Sequence, residues 1–176
     1  LGGTTYNKCI VVLRCCLRAA GYEYLMADAK PVKAQSQPHL YFQTNQRRQL
    51  TRHMAKHDPQ LLLFCEFMFY SFIRPGELRL LQVGDILWDT MEIRVHGTIA
   101  KNRESDICII PDCFADTVEQ HYYHLPTSEY LFPSTVRNDR PIGTSSMGRR
   151  HRKMLRSLKY DGRHTMYSWR HTGAVA

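Results

Sequence analysis

No run of this sequence is long and apolar enough to cross a bilayer. The longest, Leu61 to Ile73, is interrupted by Glu66, and it falls short of the roughly 20 residues a spanning helix needs. A charged leader with an apolar core and a small-residue cleavage site is also missing from the start. Acidic residues are scarce: 16 Asp and Glu stand against 24 Lys and Arg, leaving a formal charge of +8 and a pI near 9.3. A cysteine framework is lacking too, because four of the six cysteines, Cys9, Cys15, Cys16 and Cys65, sit within apolar helical runs and are expected to be reduced core residues. There is no internal repeat. What is present, 43% hydrophobic residues over 176 positions, is enough for one domain with a real core, or for a domain and part of another. The expectation is a soluble, cytoplasmic protein whose basic balance favours a polyanionic partner, most simply nucleic acid, with no role at a membrane.

Periodicity divides the chain. A helix carrying Ile10, Leu13 and Leu17 on one face, capped by Thr4 or Thr5, ends at Gly21. Residues 1–29 have the form of the last helix of an upstream domain. Residues 30–43 lose periodicity and gather Pro31, Ser36 and Pro38, the composition of a linker. Residues 44–176 form the main domain. In it, a helix over about Asn45 to Lys56 and an apolar one from Pro59 to Ile73 precede a third that Pro75 opens. The period then changes to two, and Asp85 to Trp88, Glu92 to Val95, Thr98 to Ala100 and Asp106 to Ile110 read as short strands. Helices over Cys113 to His124, over Ser145 to Leu158 and from near Thr165 complete it. The fold class is mainly α with a small antiparallel β-sheet (α+β). The start at Leu1 without methionine and the stop within a helix at Ala176 are expected of a piece of something longer.

Arg74 interrupts the most apolar stretch, in Phe69-Tyr-Ser-Phe-Ile-Arg-Pro-Gly-Glu-Leu-Arg-Leu-Leu81. A guanidinium there needs an anion. Either the anion is internal, with Glu77 the nearest candidate, or it is a ligand. Lys101, on a predicted hairpin turn, and Arg170, in the first turns of the last helix, are also cations at boundaries between rigid elements. If they converged, the three would suit the oxygens of a phosphodiester.

Arg74-Pro-Gly-Glu-Leu, then Lys101 in Ala-Lys-Asn-Arg ahead of Asp106-Ile-Cys-Ile-Ile-Pro111, then Tyr167-Ser-Trp-Arg-His-Thr-Gly173 resemble, in order and approximate separation, the signature boxes of the tyrosine recombinase, or phage integrase, family. The resemblance covers residues 44–176, with the preceding helix resembling the end of that family's core-binding (SAM-like) domain. It implies metal-independent, cofactor-free phosphoryl transfer on double-stranded DNA through a 3′-phosphotyrosyl intermediate, as in site-specific recombination or integration of a bacterial mobile element. It also implies multimers on DNA, association with the nucleoid, and no small-molecule substrate. By position, Arg74 and Arg170 would bind the scissile phosphate and Lys101 would protonate the leaving oxygen. Glu77 and His171 would support them.

Two departures stand out. Tyr167 occupies the position where the family usually has histidine, and a phenol can donate a hydrogen bond there but does not readily shuttle a proton near neutral pH. The family's later histidine or tryptophan box and its nucleophilic tyrosine lie downstream of the arginine-histidine-threonine helix, so this chain by itself is expected to bind DNA without cleaving it. Phosphate contacts are expected from Arg149, Arg150, Arg152, Lys153 and Arg156, and from Arg47, Arg48, Lys30 and Lys33. Taken alone, such a charge run is more often a solvated face than a docking site. The pairs His53/His57 and His121/His124 have helical spacing for a shared metal but no third ligand, so no metal is expected. Phe64, Phe67, Phe69, Tyr70 and Phe72 are expected in the core. A non-catalytic DNA-binding module of the same fold and a type IB topoisomerase-like enzyme are the alternatives.

Overall fold

The computed structural model describes residues 2–33, 40–100 and 103–176. By contacts the chain separates into two units, Leu1–Pro38 and His39–Ala176.

In the first unit, helix α1 spans Gly3–Ala19. Neither Thr4 nor Thr5 caps it: both lie in its first turn, Gly2 is the cap, and no side chain bonds there. Gly21 takes a left-handed φ of 78°, a conformation open to a residue without Cβ. The chain then folds back on α1. Asn7 exchanges two hydrogen bonds with the Val32 backbone, and Arg14 donates to the Ala29 carbonyl. Cys9, Cys15 and Cys16 are exposed and only Cys65 is buried, which corrects the expectation of four core cysteines; α1 is one amphipathic helix and has too few partners in its unit to cover its flanks.

The second unit is built around α3 (Pro59–Tyr70), packed against α2 (Thr44–His57), α6 (Ser146–Ser157) and α7 (Tyr167–Ala174). Asp58 caps α3 by accepting the Leu61 N–H, and Pro59 occupies its first turn, where the missing donor costs nothing. Phe64, Phe67 and Phe132 meet edge-on in the core, and Phe114 joins them. Phe72 departs from expectation. Its backbone is left-handed (φ 54°) and its side chain 42% exposed, because it makes the reversal between α3 and the next turn of helix.

That turn is α4 (Pro75–Leu78), after which come β1 (Ile86–Leu87), β2 (Glu92–Val95) and β3 (Asp106–Ile109), a three-stranded antiparallel sheet in that order. The expected strand over Thr98 to Ala100 is not formed: Ile99 and Ala100 both donate back to the His96 carbonyl, and local bonding of that kind withdraws a segment from a ladder. Ile93 pairs with Cys108. Since directly opposed residues share a face, the buried Ile93 places Cys108 on the inner side, and Ile107 and Ile109 point outward and are exposed. Helix α5 (Asp112–Tyr122) follows. Among the described residues no helix is long and apolar enough to cross a membrane.

Candidate functional site

Arg74 is held where α3 has ended and α4 begins. Its extended backbone (φ −73°, ψ 144°) is what the following proline demands, and Pro75 opens α4. Glu77, 6% exposed in its side chain, turns back on Arg74 with both oxygens. One accepts the Arg74 backbone N–H at 3.2 Å and the other accepts from Nη1 at 2.9 Å. The internal anion considered from sequence is therefore present. It engages one of the five N–H groups of a guanidinium, and the Arg74 side chain stays 32% exposed. Glu77 orients the guanidinium and leaves it a face for a further anion.

Arg170 is set by the packing of α7. A Cβ on Gly173 would stand 2.0 Å from the Phe69 carbonyl oxygen, so only glycine lets α7 approach the end of α3 this closely. The buried Trp169 donates its indole N–H to His151 Nε2 on α6 at 3.0 Å. Thr172 Oγ1 accepts the Phe42 backbone N–H at 2.8 Å and donates to the Ser168 carbonyl. Three neighbours thus lock the buried side of α7. Tyr167, 39% exposed, and the half-buried Arg170 lie one turn apart on the remaining side. Thr165 is not the side-chain cap of this helix: its own N–H donates to Ser168 Oγ.

α7 meets the end of α3 where Gly173 lies against Phe69 and Phe72, so Arg170 and Arg74 each stand a few residues from the same contact. Burial pushes the Cys108 thiol up to about 11, with Asp106 and Glu77 adding to the rise and Arg170 and Arg74 opposing it. A single sulfur on the inner face of β3 is within electrostatic reach of both guanidiniums and of Glu77. Cys108 was not anticipated, although its alternation with two isoleucines placed it on the opposite strand face. Lys101 lies in the β2–β3 connection, outside the described residues. His171 is half-buried.

Of the other expected phosphate contacts, Arg149, Arg152, Lys153 and Arg156 are exposed on α6, as are Arg48, Lys30 and Lys33. Two of the expected contacts also have partners inside the protein. Arg150 donates to both oxygens of Asp58 and, at 2.7 Å, to Gln60 Oε1, so its guanidinium ties α6 to the start of α3. Burial raises the Asp58 carboxyl, but the Arg150 and Leu61 hydrogen bonds outweigh it and hold the group below its usual range. Arg47 is half-buried and lies over the Phe69 ring, 4.6 Å from its centre, a cation–π contact. The His53 and His57 rings are neighbours at 4.5 Å, yet no group of three metal-capable side chains occurs among the described residues. His151 escaped the sequence reading because it sits in a run of arginines; its position between Met147 and Met154 on the apolar stripe was the available signal.

The family model described as the phage integrase family matches residues 41–176. No curated protein matches the chain. Among solved structures, the Tn1549 transposon integrase in complex with transposon right end DNA is similar with a TM-score of 0.74 at 13% identity, over 98% of this chain and 66% of that one. A lambda integrase dimer bound to a COC′ core site is similar with a TM-score of 0.70 at 15% identity, over 98% and 49%. XerA recombinase is similar with a TM-score of 0.59 at 19% identity, over 90% and 57%. The likeness to these structures is one of fold, and this chain spans about half to two thirds of their length.

Proposed function

The chain belongs to the phage integrase family, and from that premise we propose that residues 44–176 form the phosphate-binding part of a tyrosine-type DNA strand transferase acting in site-specific recombination or integration. Arg74 and Arg170 hold the non-bridging oxygens of the scissile phosphate, and Tyr167 donates a hydrogen bond to one of them. A tyrosine hydroxyl, not among the groups assigned here, attacks phosphorus. Its Oη–P bond forms as its own proton is lost to solvent and the P–O5′ bond breaks, and Lys101 delivers a proton to O5′. A second DNA 5′-hydroxyl reverses the step. The guanidiniums supply the charge stabilisation that the transition state requires.

The observation that carries this reading is that α7, which bears Arg170, packs on the end of α3 through Gly173 against Phe69 and Phe72, the stretch that leads directly into Arg74. The exposed cations of α6 extend the same basic character along the duplex, and the partner is double-stranded DNA, on which the protein multimerises. Residues 1–29 are read as the end of a core-binding domain and residues 30–43 as the linker.

The test is covalent trapping, with the protein expressed from its complete gene. On a nicked duplex whose short 5′ fragment diffuses away after cleavage, the unmodified protein gives a DNA-linked band on a denaturing gel. Arg74→Ala and Arg170→Ala abolish the band and leave duplex binding nearly intact. An undiminished yield from either variant removes that residue from the site. One observation favours a second reading, a DNA-binding module of the same fold without chemistry: Tyr167 stands where a proton-shuttling histidine is usual. Absence of the band from the unmodified protein selects that reading.

A further inference from the structure

A cleft of about 470 Å³ opens between α6 and the segment entering α7. Arg152 and Arg156 line one side, one helical turn apart and exposed. Neither makes an ion pair among the described residues. Tyr160, His164, Met166 and Tyr167 also line it. Exposed guanidiniums one turn apart repel each other weakly, and an anion in the cleft relieves that repulsion.

His164 makes the cleft more specific. Its ring stacks on Phe42, with centres 4.6 Å apart and planes 11° from parallel, and Tyr160 meets it edge-on. The ring is fixed from both sides. Nδ1 is buried without a hydrogen-bond partner. A buried N–H with no acceptor costs more than a lone pair with no donor, which puts the proton on Nε2 and leaves that nitrogen as the ring's donor. The cleft therefore presents two guanidiniums and one prepositioned imidazole N–H, with no carboxylate among its lining residues.

We propose that this cleft is a second phosphate subsite, in which Arg152, Arg156 and His164 together grip one phosphodiester of the DNA strand next to the one held by Arg74 and Arg170. The inference rests on the proposed function for the identity of the ligand, and on the cleft alone for its chemistry. Tyr167 links the two subsites. It borders the cleft and is one helical turn from Arg170, so a strand with one phosphate at Arg170 continues past Tyr167 into the cleft. A phosphate fixed on each side of that tyrosine aligns the strand for in-line attack, an orienting role that a single anchored phosphate does not fill.

The experiment uses the 176-residue chain and a fluorescent duplex of arbitrary sequence, with affinity measured by anisotropy over a range of salt. Neutralising one phosphate contributes about 0.9 to the slope of log K against log salt. Arg152→Gln and Arg156→Gln each lower that slope by about one, and the double variant lowers it no further. His164→Phe, which keeps the stack on Phe42, weakens binding about fivefold, the loss of one hydrogen bond. Both arginines are exposed, so their replacement does not threaten folding, and circular dichroism checks this for His164→Phe. A wild-type slope in the double variant overturns the subsite while the DNA reading stands. Additive losses, with a slope change near two, also overturn it, since they mean separate backbone contacts. Inorganic phosphate separates the sources of the anion. If the unmodified chain does not bind duplex, yet phosphate shifts the His164 ring resonances and fails to do so in the double variant, then the DNA reading fails and the cleft remains as a site for free phosphate.

Discussion

The burial of His151, which accepts the Trp169 indole N–H, makes the stability of this protein depend on pH in a defined window. His151 is 2% exposed, and burial, with His164 and Arg152 adding smaller effects, lowers its imidazole from the ordinary 6.5 to about 4. In the folded state the ring stays neutral down to about pH 4, whereas in the unfolded chain it takes up a proton near 6.5. Between those values the unfolded state binds more protons, so acidification favours unfolding. The contribution is complete above pH 6.5 and lost as pH falls towards 4. At about 1.4 kcal/mol per pH unit the window amounts to about 3 kcal/mol, a large share of the roughly 5–15 kcal/mol that stabilises a domain. Urea unfolding followed by circular dichroism, at neutral pH and at several mildly acid values, measures it. His151→Gln retains an acceptor for the indole and does not titrate in this range, so its curve subtracts every carboxylate that titrates in both proteins. The difference between wild type and variant falls by about 3 kcal/mol across the window. Parallel curves would refute the reasoning, since they would mean that His151 is protonated in the fold as readily as in the unfolded chain.

Two further expectations test what places the arginines. Gly173→Ala drives a Cβ into the Phe69 carbonyl and costs at least about 3 kcal/mol by overpacking a rigid backbone contact; Gly148→Ala, in α6 with nothing within 4 Å of the added Cβ, stabilises by about 0.5–1 kcal/mol, and thermal unfolding of the pair shows whether the contact or merely the loss of glycine matters. Arg150→Ala lowers stability by about 1–3 kcal/mol by stranding Asp58 while duplex affinity and its salt slope stay at the wild-type values, and a reduced slope would return Arg150 to the DNA contacts.

Much of this architecture was legible before any coordinates. Pro59, Pro75 and Gly21 punctuate the chain at positions where a missing donor or a left-handed turn is tolerated, and the change of period after Leu81 marks the sheet; these are local effects, and a linear sequence records them. Arg74 could be singled out because a charge inside an apolar run must be answered. Its answer needed the fold. Glu77 was within sight three residues away, but Arg170 is ninety-six positions along the chain, and spacing says nothing about which distant segments meet. Only the packing of α7 on α3, which Gly173 permits and His151 and Thr172 secure, brings the helix of Arg170 against the stretch that leads into Arg74. Tertiary contact also separated cations that look alike in the run from Arg149 to Arg156: Arg150 faces a buried-side carboxylate and becomes structural, whereas Arg152 and Arg156 face an open cleft. Residue type and period determined where helices, turns and strands would form, because those depend on neighbours in the chain; which charges would share an anion depended on neighbours in space.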